Sequence, residues 1–93
     1  MNIFYDPVKR ALTLERRGLD FADAAQILNG DQVTLEDDRQ DYGEIRYNSF
    51  GFLNGRLVAL TWTPREDGVR VISLRKANDR EQAWYRRIVD RPG

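Results

Sequence analysis

Residues 45–76 read Ile45-Arg46-Tyr47-Asn48-Ser49-Phe50-Gly51-Phe52, Leu53-Asn54-Gly55, Arg56-Leu57-Val58-Ala59-Leu60-Thr61-Trp62-Thr63, Pro64-Arg65-Glu66-Asp67-Gly68 and Val69-Arg70-Val71-Ile72-Ser73-Leu74-Arg75-Lys76. Three runs rich in β-branched, aromatic and other apolar residues are separated by turn signals, the pattern of successive strands. Asn54-Gly55 is a strong hairpin signal between the first two. Pro64 to Gly68 makes the next turn. The expectation is an antiparallel meander over 45–52, 56–63 and 69–76, with the near-continuously apolar Leu57 to Trp62 as its central strand.

Upstream, the period changes from helical to alternating near Gln32. Val33 to Glu36 reads as a further strand. The acidic, turn-rich stretch Glu36 to Gly43 reads as a solvated loop that would repel a polyanion. Ile3-Phe4-Tyr5 reads as a first strand, and Asp6-Pro7 supplies an N-cap with Pro at the first helical position. That helix should span 7–17 and stop at Gly18, a favoured residue just past a helix end. Asp20 can cap a second helix over 20–29, in which Phe21, Ala24, Ala25 and Leu28 fall at i, i+3, i+4 and i+7. The short link between the two predicts an N-terminal helical hairpin. Downstream, Asn78 can cap a helix over 79–88, with Glu81 reaching back as in a capping box. Trp84 is expected in the core, Tyr85 at the edge of a site, and 89–93 as a flexible tail. The sum is one α+β domain over 1–93, with a mainly antiparallel, four- to five-stranded sheet covered by helices.

The chain has 93 residues and neither His nor Cys. A single compact domain and a reducing compartment fit that composition, and disulfide and thiol chemistry are excluded. No apolar run approaches the roughly 20 residues of a membrane helix, and no signal-peptide pattern is present. The expected location is cytoplasmic. Formal net charge is zero, but residues 1–45 carry five Lys/Arg against ten Asp/Glu, and residues 46–93 the reverse. Such asymmetry can build a basic face on a neutral protein. Thirteen of the fifteen cations are Arg, whose planar fork suits phosphate.

Positive charge concentrates where the last strand, ending in Arg75-Lys76, meets the helix bearing Arg80, Arg86 and Arg87. Arg46 and Arg75 are candidate catalytic donors to phosphoryl oxygens. Glu44, Lys9, Lys76 or Tyr85 could move protons, and the sequence leaves these alternatives open. Lys9, Arg70 and Arg80 are candidate RNA-binding residues. Arg70 and Arg75 point to opposite faces of an ideal strand, so a common site requires a bulge or an early strand end. Glu44 and Arg46 can equally be an ion pair, and Glu81 reads as a cap rather than a base. There is no Gly-rich phosphate loop, metal-ligand spacing or nucleophile elbow, and no cofactor or metal is expected.

Four segments occur together in order: Phe4-Tyr5-Asp6-Pro7-Val8-Lys9, Gly18-Leu19-Asp20-Phe21-Ala22-Asp23-Ala24, Glu44-Ile45-Arg46, and Arg70 to Glu81 followed by Tyr85. In this combination the chain resembles the BrnT toxins of type II toxin-antitoxin systems, over roughly residues 3 to 86. That family usually has Trp in place of Tyr5, Asn in place of Thr13, and a Lys-His pair in place of Arg16-Arg17. The resemblance implies a RelE-like fold and RNA cleavage that blocks translation. It also implies neutralisation by a BrnA-type ribbon-helix-helix antitoxin, through which alone operator DNA would be bound. A non-catalytic RNA- or protein-binding module is the alternative.

Overall fold

The computed structural model describes residues 1–90. Five strands form one sheet: β1 (Asn2–Phe4), β2 (Gln32–Glu36), β3 (Tyr47–Leu53), β4 (Arg56–Arg65) and β5 (Gly68–Lys76). Their spatial order is β1-β5-β4-β3-β2. The expected meander is present, with β3, β4 and β5 antiparallel and β2 antiparallel to β3. Asn54 and Gly55 make the tight β3–β4 turn with φ of 51° and 79°, the left-handed conformation that this Asn-Gly pair tolerates.

The sheet is mixed rather than wholly antiparallel, because β1 runs parallel to β5, pairing Ile3 with Val69 and Phe4 with Arg70. Hairpin signals report only local, antiparallel pairings, so this contact across most of the chain left no turn to read. Gly68 is where the strands come closest: a Cβ there would lie 2.0 Å from the Asn2 carbonyl oxygen.

Helix α1 (Pro7–Arg17) begins at Asp6, whose carboxylate accepts the Val8 amide at 2.9 Å, and ends at Gly18 with φ of 68°. The expected second helix over 20–29 is divided. Asp20 accepts the Ala22 amide and starts a 3-10 turn, Phe21–Asp23, before the six-residue α2 (Ala24–Asn29). The tighter turn shifts the phase of the apolar stripe, so Ile27 rather than Leu28 is the fully buried residue. No helical hairpin results. The α2 segment packs on β3, while α1 meets β5 and the 3-10 turn. Ile45 is also not in a strand, since β3 starts only at Tyr47.

Two apolar layers flank the sheet. On one face Leu19, Phe21, Ala24 and Ile27 bury Leu53, Val58, Leu60, Val71 and Leu74. On the other, helix α3 (Asp79–Val89) buries Phe50, Leu57 and Ala59 beneath Ala77 and Tyr85. Trp84 and Tyr85 exchange their expected places: Tyr85 is buried against Phe52, and Trp84 is only half-buried, edge-on to Phe50. Where a tail is expected from residue 89, Val89 is still helical and Asp90 caps it; the rest of that expectation, residues 91–93, lies outside the described residues. Among the described residues no helix is long and apolar enough to cross a membrane.

Candidate nucleic-acid interface

The pairing of β4 with β5 slips by one residue. Thr61 faces Ser73, but Trp62 faces Val71, leaving Ile72 as an extra residue in β5. A bulge of this kind reverses the side-chain alternation beyond it. Val71 and Leu74 therefore both enter the same core layer although three residues apart. By the same register Arg70 pairs with Thr63 and Arg75 with Ala59, two residues on one face of β4. Arg70 and Arg75 thus share the α3 face of the sheet, which an ideal strand would forbid. Lys76 pairs with Val58 and belongs to the opposite face, so it is not brought together with Arg75.

Arg75 is held by Glu81. Its two terminal nitrogens lie 2.7 and 2.8 Å from the two carboxylate oxygens. Glu81 also accepts the Asn78 backbone amide, and Asn78 in turn caps the Glu81 amide, giving the expected capping box. The Arg75 guanidinium and, secondarily, the Asn78 amide hold the Glu81 carboxyl below its usual range, against the effect of burial. Donating to Glu81 raises Arg75 in return, so both stay charged. The strand-helix junction is therefore locked by one ion pair while 45% of the Arg75 side chain stays exposed. Arg80 and Arg87 lie further along α3, where they rim an apolar hollow lined by Leu35, Phe50 and Trp84.

The segment between β2 and β3 is mostly exposed, as expected of a solvated loop, but Asp37 is buried and fastens it against this face. The Asp37 amide donates to the Arg46 carbonyl at 2.8 Å, closing the loop, and the Thr63 hydroxyl donates to the Ile45 carbonyl at 2.7 Å, fastening it to β4. Asp37 is almost wholly buried, its side chain 1% exposed. Arg39 bridges both its oxygens at 2.8 Å, and the Tyr42 hydroxyl adds a third contact at 3.3 Å. Arg39 holds the Asp37 carboxyl down at about 2, although burial opposes that shift. The Arg39 charge is near enough to Arg75 to act on it. Arg39 is a candidate interface residue that the sequence reading missed. In an acidic run it looked like one more solvated charge, and only the burial of Asp37 sets it apart.

Glu44 and Arg46 precede β3 and form the anticipated ion pair at 3.2 Å, with Arg65 at 3.8 Å from the second Glu44 oxygen. The Arg46 guanidinium stacks over the Tyr42 ring at 4.1 Å, a cation–π contact that keeps the charge at the surface. Arg39, Arg46, Arg65, Arg70 and Arg75 thus surround the part of the sheet face that α3 leaves uncovered. Its floor includes Asn48 and Thr61, hydrogen-bonded to each other at 2.6 Å. Besides Lys76, two further expected site residues fall elsewhere. Tyr85 is in the α3 core, where burial and then the nearby Asp31 push its hydroxyl upward. Lys9 lies on α1, across the edge of β5.

The arrangement can grip a polyanion and stabilise charge developing on a phosphoryl group, since guanidinium donors are preorganised on a rigid sheet. A comparison with curated protein sequences finds no match. Residues 5–81, from the first strand's exit to the capping box, match the family model described as "Ribonuclease toxin, BrnT, of type II toxin-antitoxin system". With most of its length matched, the chain belongs to the BrnT family of ribonuclease toxins of type II toxin-antitoxin systems.

Proposed function

We propose that this protein cuts RNA on the arginine-lined face of its sheet and so arrests translation in the cytoplasm. The observation that carries the reading is the β5 bulge, which turns Arg70 and Arg75 toward the same face as the Arg39 and Arg46 loop. In the reaction, the ribose 2′-oxygen attacks the adjacent phosphorus and the 5′-oxygen of the next nucleotide leaves. The products are a 2′,3′-cyclic phosphate and a free 5′-hydroxyl. Arg75 and Arg46 stabilise the negative charge that develops on the phosphoryl oxygens. Glu44, half-exposed beside Arg46, takes the 2′-hydroxyl proton, and the leaving oxygen takes its proton from solvent. The buried place of Tyr85 and the opposite-facing Lys76 favour Glu44 over either for this step.

No metal is required in this scheme. Its support is the donor set: the guanidiniums around the site can themselves stabilise the charge that develops on the phosphoryl group. The partner is a BrnA-type antitoxin with a ribbon-helix-helix domain, and operator DNA is reached only through it. One observation favours a second reading. Arg75 is already engaged by both Glu81 oxygens, as expected of a strut in a non-catalytic RNA-binding module. Expression without the neighbouring antitoxin gene separates the two. A ribonuclease toxin arrests growth and cleaves RNA in a cell-free translation mix, with or without EDTA. Normal growth and intact RNA would contradict the ribonuclease reading.

A further inference from the structure

Away from the arginine-lined face, a second set of cations converges on one cleft. Lys9, Leu12, Thr13 and Arg16 fall at i, i+3, i+4 and i+7, a single stripe of α1. With Arg17, Ile72 and Ser73 they line a cavity of about 300 Å³ between α1 and β5. That side of β5 is an open edge. β1 pairs only with Gly68 to Arg70, so from Val71 onward no strand lies beside it. Arg17 partly substitutes for the missing strand, donating to the Leu74 carbonyl at 2.9 Å. The bulge sets Ile72 out of register with β4 at this same point. Ser73 pairs with Thr61, so its side chain faces the arginine-lined side and only its backbone edge borders the cleft.

Charge pairing differs sharply along α1. Arg10 is tied to Asp20 at 2.7 Å, whereas among the described residues Lys9, Arg16 and Arg17 meet no carboxylate. Three cations around one small cleft repel one another unless an anion joins them. The cleft also offers an ammonium and five N–H donors on each guanidinium. A tetrahedral phosphate group matches that set, since it accepts several such bonds at once.

We propose that the cleft between α1 and the open edge of β5 is a phosphate-binding site, in which Lys9, Arg16 and Arg17 hold a phosphodiester of single-stranded RNA. It rests on the ribonuclease reading for the identity of the ligand. A strand crossing the β5 edge passes from this cleft to the face that carries Arg75, so the cleft anchors RNA next to the cutting site without touching the reacting atoms.

The test is binding of a fluorescent single-stranded DNA oligonucleotide, which carries the phosphates but no 2′-hydroxyl and cannot be cut by this chemistry. Affinity is measured over a range of salt concentrations for wild type, Lys9→Ala/Arg16→Ala and Lys9→Arg/Arg16→Lys. Each neutralised phosphate contributes about 0.7 to the slope of log affinity against log salt. The Ala pair should weaken binding at least tenfold and flatten the slope by about 0.7 to 1.4, the change for one or two phosphates no longer neutralised. The charge-conserving pair should keep most of both. Amide shifts of Ile72 and Ser73 on titration should disappear in the Ala pair. Unchanged affinity and slope in the Ala pair, or no binding by wild type, would overturn the site. An oligoglutamate peptide bound equally well, and released by the same substitutions, would assign the cleft to an acidic protein segment instead. Binding as expected with no RNA cleavage would leave the site standing and remove only the ribonuclease reading.

Discussion

At Arg75 one guanidinium both closes the junction of strand and helix and faces outward with nearly half its side chain exposed. Removing Glu81 should therefore affect two properties together. Glu81→Ala deletes the reciprocal half of the capping box and frees Arg75. An expected loss of about 1 kcal/mol, typical of a helix cap, corresponds to a melting temperature lower by about 4–8 °C in a domain of this size. RNA cleavage should fall as well, because Arg75 loses its orientation. Activity unchanged despite a lower melting temperature would mean that Glu81 does not position Arg75. Asp37 gives a pH signature. Its folded carboxyl is depressed to about 2 from the ordinary 3.8, so the contribution is complete above roughly pH 5 and is lost as pH falls from about 4 through 2. Urea unfolding between pH 2 and 5 should show wild-type stability declining more steeply than that of Asp37→Asn. Asp20 and Glu81, depressed by Arg10 and Arg75, add slopes of the same sign that both proteins share. Parallel curves would show that folding leaves the Asp37 carboxyl unshifted, contrary to a hold by Arg39.

Among the elements, β5 decides the site. Its residues Val69 to Lys76 read plainly as a strand, and the turn signals placed β3, β4 and β5 in order. The bulge at Ile72 was not legible, because Val71-Ile72-Ser73 contains no Gly or other mark of an interrupted ladder. It arises from competition for the core: Val71 and Leu74 are both buried on one layer, and regular alternation would expose one of them. The caps at Asp6, Gly18 and Asn78 were legible because a helix end is a local problem with local solutions. The parallel pairing of β1 depends on residues far apart in sequence, which is why it was not foreseen. Asp37 instead meets its partners Arg39, Tyr42 and Arg46 nearby, in an acidic run with no periodicity to mark one carboxylate as buried. Gly68 offers a check on the β1–β5 contact. Gly68→Ala places a methyl group against the Asn2 carbonyl and must push the strands apart. A loss of about 1–3 kcal/mol, the usual range for overpacking, is expected in denaturant unfolding. A neutral substitution would show that β1 is not seated there.

Across the whole molecule, the sheet separates two tasks. The layer around Leu60 and Leu74 supplies stability, and Leu60→Ala should cost about 2–5 kcal/mol through the cavity it leaves. The opposite face is only partly covered by α3, and the rest carries the arginines. The acidic N-terminal half contributes to that face as well, through Arg39 and the buried Asp37 that holds it. A net charge of zero therefore conceals a polarised surface. The most direct measurement is RNA cleavage by wild type beside Arg75→Ala and Arg46→Ala, with the fold of each verified by circular dichroism. Loss of one preorganised donor typically slows a reaction by about 100- to 1000-fold, and each folded variant should show a loss of that order. Undiminished cleavage in both would place the reacting phosphate elsewhere on the molecule.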